Sequence, residues 1–273
     1  MIEDAAASLI VAGCRGSIGV SGERYRRYGG NTTSLYTMVE PDHYLVVDGG
    51  TGLRRLQHSL TPGPKRFTLL FTHYHWDHIQ GLPMFAPLFD ATNEFVFYGK
   101  DYEGSGPQEI IDGIICPPWW PITLATATAR VEYRTIAGSI TVGSVVVDPI
   151  DLTHPQGSIG FRLTKDRAIV IATDHEAVDP EVDGRLVEAA RGAQVLIHDA
   201  QYTPDEYRTL RVGWGHSDWE SATTAAREAG VERLILTSHD PDRSDDGIDA
   251  IRSAARARFP RTDAAFEGMS IPF

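Results

Sequence analysis

Six consecutive positions, His73-Tyr74-His75-Trp76-Asp77-His78, carry three imidazoles and a carboxylate immediately after the apolar run 67–71. Residues two apart on an extended chain point the same way, so His73 and His75 share a direction. Asp77 and His78 fall where the chain turns into a helix-like segment at 79–84. Four ligand-type side chains thus converge on one loop, and any fold must seat that loop at the end of a buried strand. Imidazole and carboxylate together suit zinc, with manganese or iron as alternatives, and their number exceeds what one tetrahedral ion needs. Two divalent metal ions are implied. His43 and His58, which lack such neighbours, read as hydrogen-bonded or surface residues.

Around this loop the chain alternates strand-like and helix-like segments without a linker, which marks an α/β class and one domain over 1–273. Strands are expected at 9–13, 34–39, 44–48, 67–72, 94–98, 130–135, 144–151, 158–163, 168–173, 194–198 and 233–237, and helices at 52–59, 108–115, 183–190, 204–209, 218–229 and 247–258. Twenty-five basic against 37 acidic residues give a formal net charge of −12, which speaks against general nucleic-acid binding. A 42% hydrophobic share is that of a globular chain. No apolar run approaches the roughly 18 residues of a membrane span. The apolar stretch 9–14 ends in Cys14 like a lipoprotein signal, but Glu3 and Asp4 precede it and no Lys or Arg does, so an opening strand is expected instead. Cys14 and Cys116 provide neither a disulfide framework nor a thiolate metal site, and a reducing, cytoplasmic setting fits.

With its H-x-H-x-D-H loop, the chain resembles the metallo-β-lactamase superfamily over nearly its whole length. The resemblance implies an αββα four-layer sandwich of two mixed β-sheets flanked by helices. It assigns His73, His75 and His154 of Leu152-Thr153-His154-Pro155 to a first metal. Asp77, His78 and His239 of Leu236-Thr237-Ser238-His239 go to a second, and Asp174 bridges both. Tyr74 stands where oxygen-reducing di-iron members carry Glu, which argues against redox chemistry. His154 and Asp174 lie only 20 positions apart. The tRNA 3′-processing endonucleases of the superfamily insert a long arm there, so the chain is more similar to the phosphoribosyl cyclic phosphodiesterase branch. Cys14 and Cys116 do not reproduce that branch's Cys-rich structural zinc site.

The same resemblance gives supporting roles. Asp48 matches an early Asp that braces the metal loop, or else is a turn carboxylate before Gly49-Gly50. Asp199 is expected to orient His216, which stands on the Gly215-His216-Ser217 loop as candidate general acid. Trp119, Trp120, Trp214 and Tyr202 are candidate pocket walls or packing residues, and Arg15 is a candidate phosphate contact or a loop charge. The expected activity is metal-assisted hydrolysis of small or cyclic phosphodiesters by a hydroxide held between two ions, with a small anionic diester as partner and room for a homodimer. The alternative is hydrolysis of lactones, thioesters or other carboxylic esters on the same centre. A tRNA-processing endonuclease and a non-catalytic metal-binding module rank behind both.

Overall fold

The computed structural model of the chain describes residues 8–272; Glu3 and Asp4, beside the opening apolar run, lie outside them. The first half of the chain lays down β1 (Ser8–Gly13), β2 (Ser34–Glu40), β3 (His43–Val47), β4 (Arg66–Leu70), β5 (Glu94–Gly99) and β6 (Arg130–Thr135). The second half adds β7 (Ile140–Val142), β8 (Val145–Leu152), β9 (Ser158–Thr164), β10 (Ala168–Ala172), β11 (Val195–Asp199), β12 (Arg233–Thr237) and β13 (Thr262–Ala264). Finally β14 (Ser270–Pro272) returns to pair with β1. Two seven-stranded sheets result, ordered β14-β1-β2-β3-β4-β5-β6 and β13-β12-β11-β10-β9-β8-β7. Both are mixed: β1 to β3 and β7 to β10 pair antiparallel, β3 to β6 and β10 to β13 parallel.

The central strands are apolar on both faces, as strands covered on both sides must be. In β11, Val195 and Ile197 enter the core between the sheets, while Leu196 faces the helices. In β4, Leu70 joins the inter-sheet core and Phe67 and Leu69 the opposite one. Helices α1 (Leu53–Ser59), α2 (Trp76–Ile79) and α3 (Pro107–Ile114) accompany the first sheet. Helices α4 (Pro180–Ala190), α5 (Pro204–Glu206), α6 (Trp219–Ala229) and α7 (Asp245–Arg258) accompany the second. The result is the expected αββα sandwich. Among the described residues no helix is long and apolar enough to cross a membrane.

Two departures from the expected elements bear on the site. The helix expected at 79–84 begins earlier, as α2, and stops after Ile79; Pro83 then sits in a separate 3-10 turn, Leu82–Met84. Asp77 and His78 therefore lie on the helix itself. Helix α6 is capped by Asp218, whose side chain accepts from the Glu220 and Ser221 amides, and it ends at Gly230 in the left-handed region. That start leaves His216 on the loop just before it.

Candidate metal centre

The ligand-type residues gather along one edge of the sandwich, where several strands reach their C-terminal ends. His73, His75, Asp77 and His78 follow β4, His154 follows β8, Asp174 follows β10, and His216 approaches on the loop before α6. Three strand ends close in the left-handed region without glycine: Asp48 at φ 60°, Asp174 at φ 54° and Ser238 at φ 57°. Such residues cluster at functional sites, each costing of order 1–3 kcal/mol.

The outer hydrogen bonds of the five clustered imidazoles fix which nitrogen is free. Asp48, fully buried, accepts from the Thr72 amide at 2.8 Å, the Thr72 hydroxyl at 2.9 Å and His78 Nδ1 at 2.8 Å. Because the Thr72 hydroxyl gives its proton to Asp48, it can only accept from His73 Nδ1, 3.1 Å away. His154 Nδ1 donates to the Gly215 carbonyl at 2.7 Å, His75 Nε2 to Gln156 Oε1 at 2.9 Å, and His216 Nδ1 to Asp199 Oδ2 at 2.6 Å. Each ring thus points its other nitrogen inward. His75 Nδ1 and His154 Nε2 face each other at 3.0 Å with no proton left for a bond between them, an arrangement that a cation resolves. His73 Nε2 and His78 Nε2 are buried without a hydrogen-bond partner. Asp174 Oδ2 lies centrally, 3.2 Å from His78 Nε2, 3.8 Å from both His73 Nε2 and His154 Nε2, and 3.9 Å from His216 Nε2.

Electrostatics agree with this geometry. Burial holds His73 well below the usual imidazole range and brings His154 down to about 4, so both are neutral, as ligands must be. Burial resists ionisation of Asp174, yet His78 and His216 hold it well below the ordinary carboxylate range. His78 goes the other way: against burial, Asp174, Asp77 and Asp48 lift it well above 6.5, so a proton takes the place of a cation there. Metal binding would release that proton. His216 is likewise lifted against burial, by Asp199 and Asp174, to about 9.

His75, His73 and His154 form one group of potential ligands, His73, His78 and Asp174 a second, and His154, Asp174 and His216 a third. Asp77 Oδ2 is 3.3 Å from His78 Nε2 and also accepts from the Ser17 amide at 2.8 Å. His239 does not join them. Successive residues at a strand end point to opposite sides, and it is Ser238 that turns inward, its Oγ 3.3 Å from Asp174 Oδ1. His239 turns outward, donating from Nε2 to the Ala265 carbonyl at 2.9 Å and packing edge-on to Tyr28. Of the two readings of Arg15, the structure fits the loop charge: it is fully buried and bonded to the carbonyls of Gly29, Asp240 and Arg243.

Asp199 stands where the sequence places it, fully buried and bonded to His216. One residue the sequence reading missed is Glu176. Its buried carboxylate accepts from the amides of Gly213 at 2.7 Å and Gly215 at 2.8 Å and from the Tyr207 hydroxyl at 2.8 Å. This fastens the loop that carries both the His154 acceptor and His216. Gly215 has φ 85°, and a Cβ there would lie 2.3 Å from His154 Nδ1.

A cavity of about 570 Å³ opens over the cluster, lined by Trp76, Asp77, His154, Asp174, Tyr202, Arg211, Trp214 and His216 among others. Arg211 stacks on Trp214 with its guanidinium carbon 4.3 Å from the ring centre. Trp119 and Trp120 do not reach this cavity; Trp119 is exposed and Trp120 packs on the helix-side core. A second cavity of about 530 Å³ lies beyond His73 and His75 and has an apolar wall of Ile110, Ile114 and Leu152.

Fold and ligand set together define a class, the metal-dependent hydrolases built on an αββα sandwich. Residues 43–239 match the family described as Beta-lactamase superfamily domain. The chain belongs to the metallo-β-lactamase superfamily. It is 26% identical over 229 residues to the probable metallo-hydrolase YhfI of Bacillus subtilis, spanning 84% of this chain and 85% of that one. It is 24% identical over 295 aligned positions to ribonuclease Z of Lacticaseibacillus casei, spanning 89% and 90%. Among solved structures, the fold superposes on YhfI with TM-score 0.74 at 19% identity, covering 97% and 98% of the two chains. It superposes on a diphosphatase of the PhnP family with TM-score 0.71 at 17% identity, covering 98% of each.

Proposed function

We propose that the protein is a phosphodiesterase acting on small or cyclic phosphodiesters at a centre of two divalent ions, zinc foremost. The observation that carries the metal reading is the set of four imidazoles, those of His73, His75, His78 and His154, whose outer nitrogens are committed to Thr72, Gln156, Asp48 and Gly215 while their inner nitrogens converge beside Asp174. His73, His75 and His154 would hold one ion, Asp77 and His78 the other, with Asp174 between them. Ions held there supply Lewis acidity and a water acidic enough to attack phosphorus near neutral pH. His216 is the proton donor to the departing alkoxide: its Nδ1 is fixed by Asp199 and its Nε2 faces the cavity. Arg211 and Trp214 offer a cation and a flat apolar face to an anionic ester carrying a ring. Relatives named for hydrolysis at phosphorus, ribonuclease Z and the PhnP-family diphosphatase, support the same class.

The chain between His154 and Asp174 supports a small substrate. It is used up by β9 and β10, with short turns, so no arm projects to clasp a tRNA. The net charge of −12 speaks against a long polyanion. One observation favours a second reading, ester or thioester hydrolysis: the apolar wall beyond His73 and His75 suits an acyl chain. The deciding measurement is kcat/KM on metal-defined protein for a cyclic nucleotide, a cyclic sugar phosphate, a chromogenic diester, a lactone, a thioester and precursor tRNA. Small diesters should lead; a lead of orders of magnitude for tRNA, lactone or thioester would overturn the proposal.

A further inference from the structure

The ligands around Asp174 are not shared evenly. On one side His73, His75 and His154 bring three inward nitrogens within 4.8 Å of one another. On the other stands a single imidazole, His78, whose fully buried Nε2 lies 3.2 Å from Asp174 Oδ2 and 3.3 Å from Asp77 Oδ2. Part of the Asp77 carboxylate is already engaged by the Ser17 amide at 2.8 Å. The strand end closing this side presents the Ser238 hydroxyl to Asp174, and its neighbouring imidazole, His239, is turned away to Ala265. His216 does not make up the deficit, because its Nε2 groups with His154 and Asp174 rather than with His78.

Building on the di-metal reading above, we infer that the two positions are unequal. The His73, His75 and His154 position binds a borderline ion such as Zn²⁺ tightly. The Asp77, His78 and Asp174 position is one histidine short because Ser238 fills that corner. It binds its ion weakly and, being rich in oxygen, favours a harder one such as Mn²⁺. Loss of an outer partner alone weakens metal sites by about 10–100-fold, so a missing ligand sets the gap at a hundredfold or more.

The test strips the full chain with chelator, titrates it with Zn²⁺ and Mn²⁺ against a competing fluorescent chelator, and measures metal content after gel filtration. One Zn²⁺ per chain should survive filtration, with a second binding roughly a hundredfold or more weaker, and Mn²⁺ should fill the weak position of the one-zinc protein. Ser238→His should convert the chain to one that retains two Zn²⁺; histidine tolerates the left-handed backbone at that position. Should that variant not fold, a second pair decides: Asp77→Asn should remove only the weak ion, and His75→Ala should weaken only the tight one. Two zinc ions held within tenfold of each other in the unaltered chain would overturn the inference. So would loss of the second ion in His216→Ala, which would make His216 the missing ligand. A chain that holds no ion firmly would overturn the di-metal reading itself, and this inference with it.

Discussion

Replacing His216 by alanine removes the proposed proton donor while leaving the inward nitrogens of His73, His75, His78 and His154 in place. The structure argues for a large effect, because the ring is held in one orientation before substrate arrives. Its Nδ1 donates to Asp199 at 2.6 Å, and that carboxylate is itself held by the Gln201 amide at 3.1 Å and the Ser217 amide at 3.2 Å. The ring is boxed edge-on by His154 and Tyr202, with centres 5.2 and 6.0 Å away. A general acid so placed contributes about 10²–10⁴-fold, or about 3–5.5 kcal/mol of barrier. That full loss in kcat should appear on a diester with an alkyl leaving group, whose alkoxide must be protonated as it departs. A nitrophenolate leaves without that help, so the chromogenic diester should lose less than about tenfold. Steady-state kinetics on both substrates, with metal content measured in parallel, supply the assay. Equal losses on both would assign His216 to positioning or phosphate binding, and no loss on either would refute the role.

Asp48→Ala should be the most damaging change outside the ligand set, since it leaves the Thr72 amide, the Thr72 hydroxyl and His78 Nδ1 without their acceptor in a fully buried place. A cost of about 3–5 kcal/mol is expected, read as a fall of roughly 10 °C in Tm, together with about 10–100-fold weaker metal binding; a Tm within a degree or two of the parent would contradict this. Arg211→Ala should raise KM for anionic diesters roughly tenfold, the worth of one charge-assisted contact, and leave kcat nearly unchanged; an unaltered KM removes Arg211 from the binding surface. In the metal-free protein His216 is raised from 6.5 to about 9, so its ion pair with Asp199 contributes stability that is fully present below pH 6.5 and lost as pH rises through about 9. Thermal melts of metal-free protein should therefore decline across that interval, and Asp199→Asn should flatten the decline; parallel curves would show that the pair is not the cause.

Much of this was legible in the residues. The two-face apolar pattern of strands such as 168–172 and 195–199 gives a covered sheet, and the clustered imidazoles after β4 announce the metal loop. His154 and Asp174 could be placed because each follows a long apolar strand whose end is well defined. Ser238 and His239 show where such reading fails. Either could be the inward residue at the end of β12, since both lie beyond its last residue, and a shift of one position exchanges the two sides. Only the left-handed turn at Ser238 settles which one points inward. Arg15 and Glu176 were illegible for a related reason: both satisfy backbone groups of distant loops, and such contacts leave no periodicity. The three-residue strands β7, β13 and β14 are likewise too short to show one.

The centre also straddles the seam of the sandwich. His73, His75, Asp77 and His78 come from the half of the chain that builds the first sheet, and His154, Asp174 and His216 from the half that builds the second. An ion gripped from both halves is a staple across that seam, and it strengthens the fold by mass action, about 4 kcal/mol when free metal stands a thousandfold above its dissociation constant. Removal of the ion should therefore cost stability as well as activity. Stripping the ion should accordingly loosen the seam and raise the fraction of unfolded chain open to proteases.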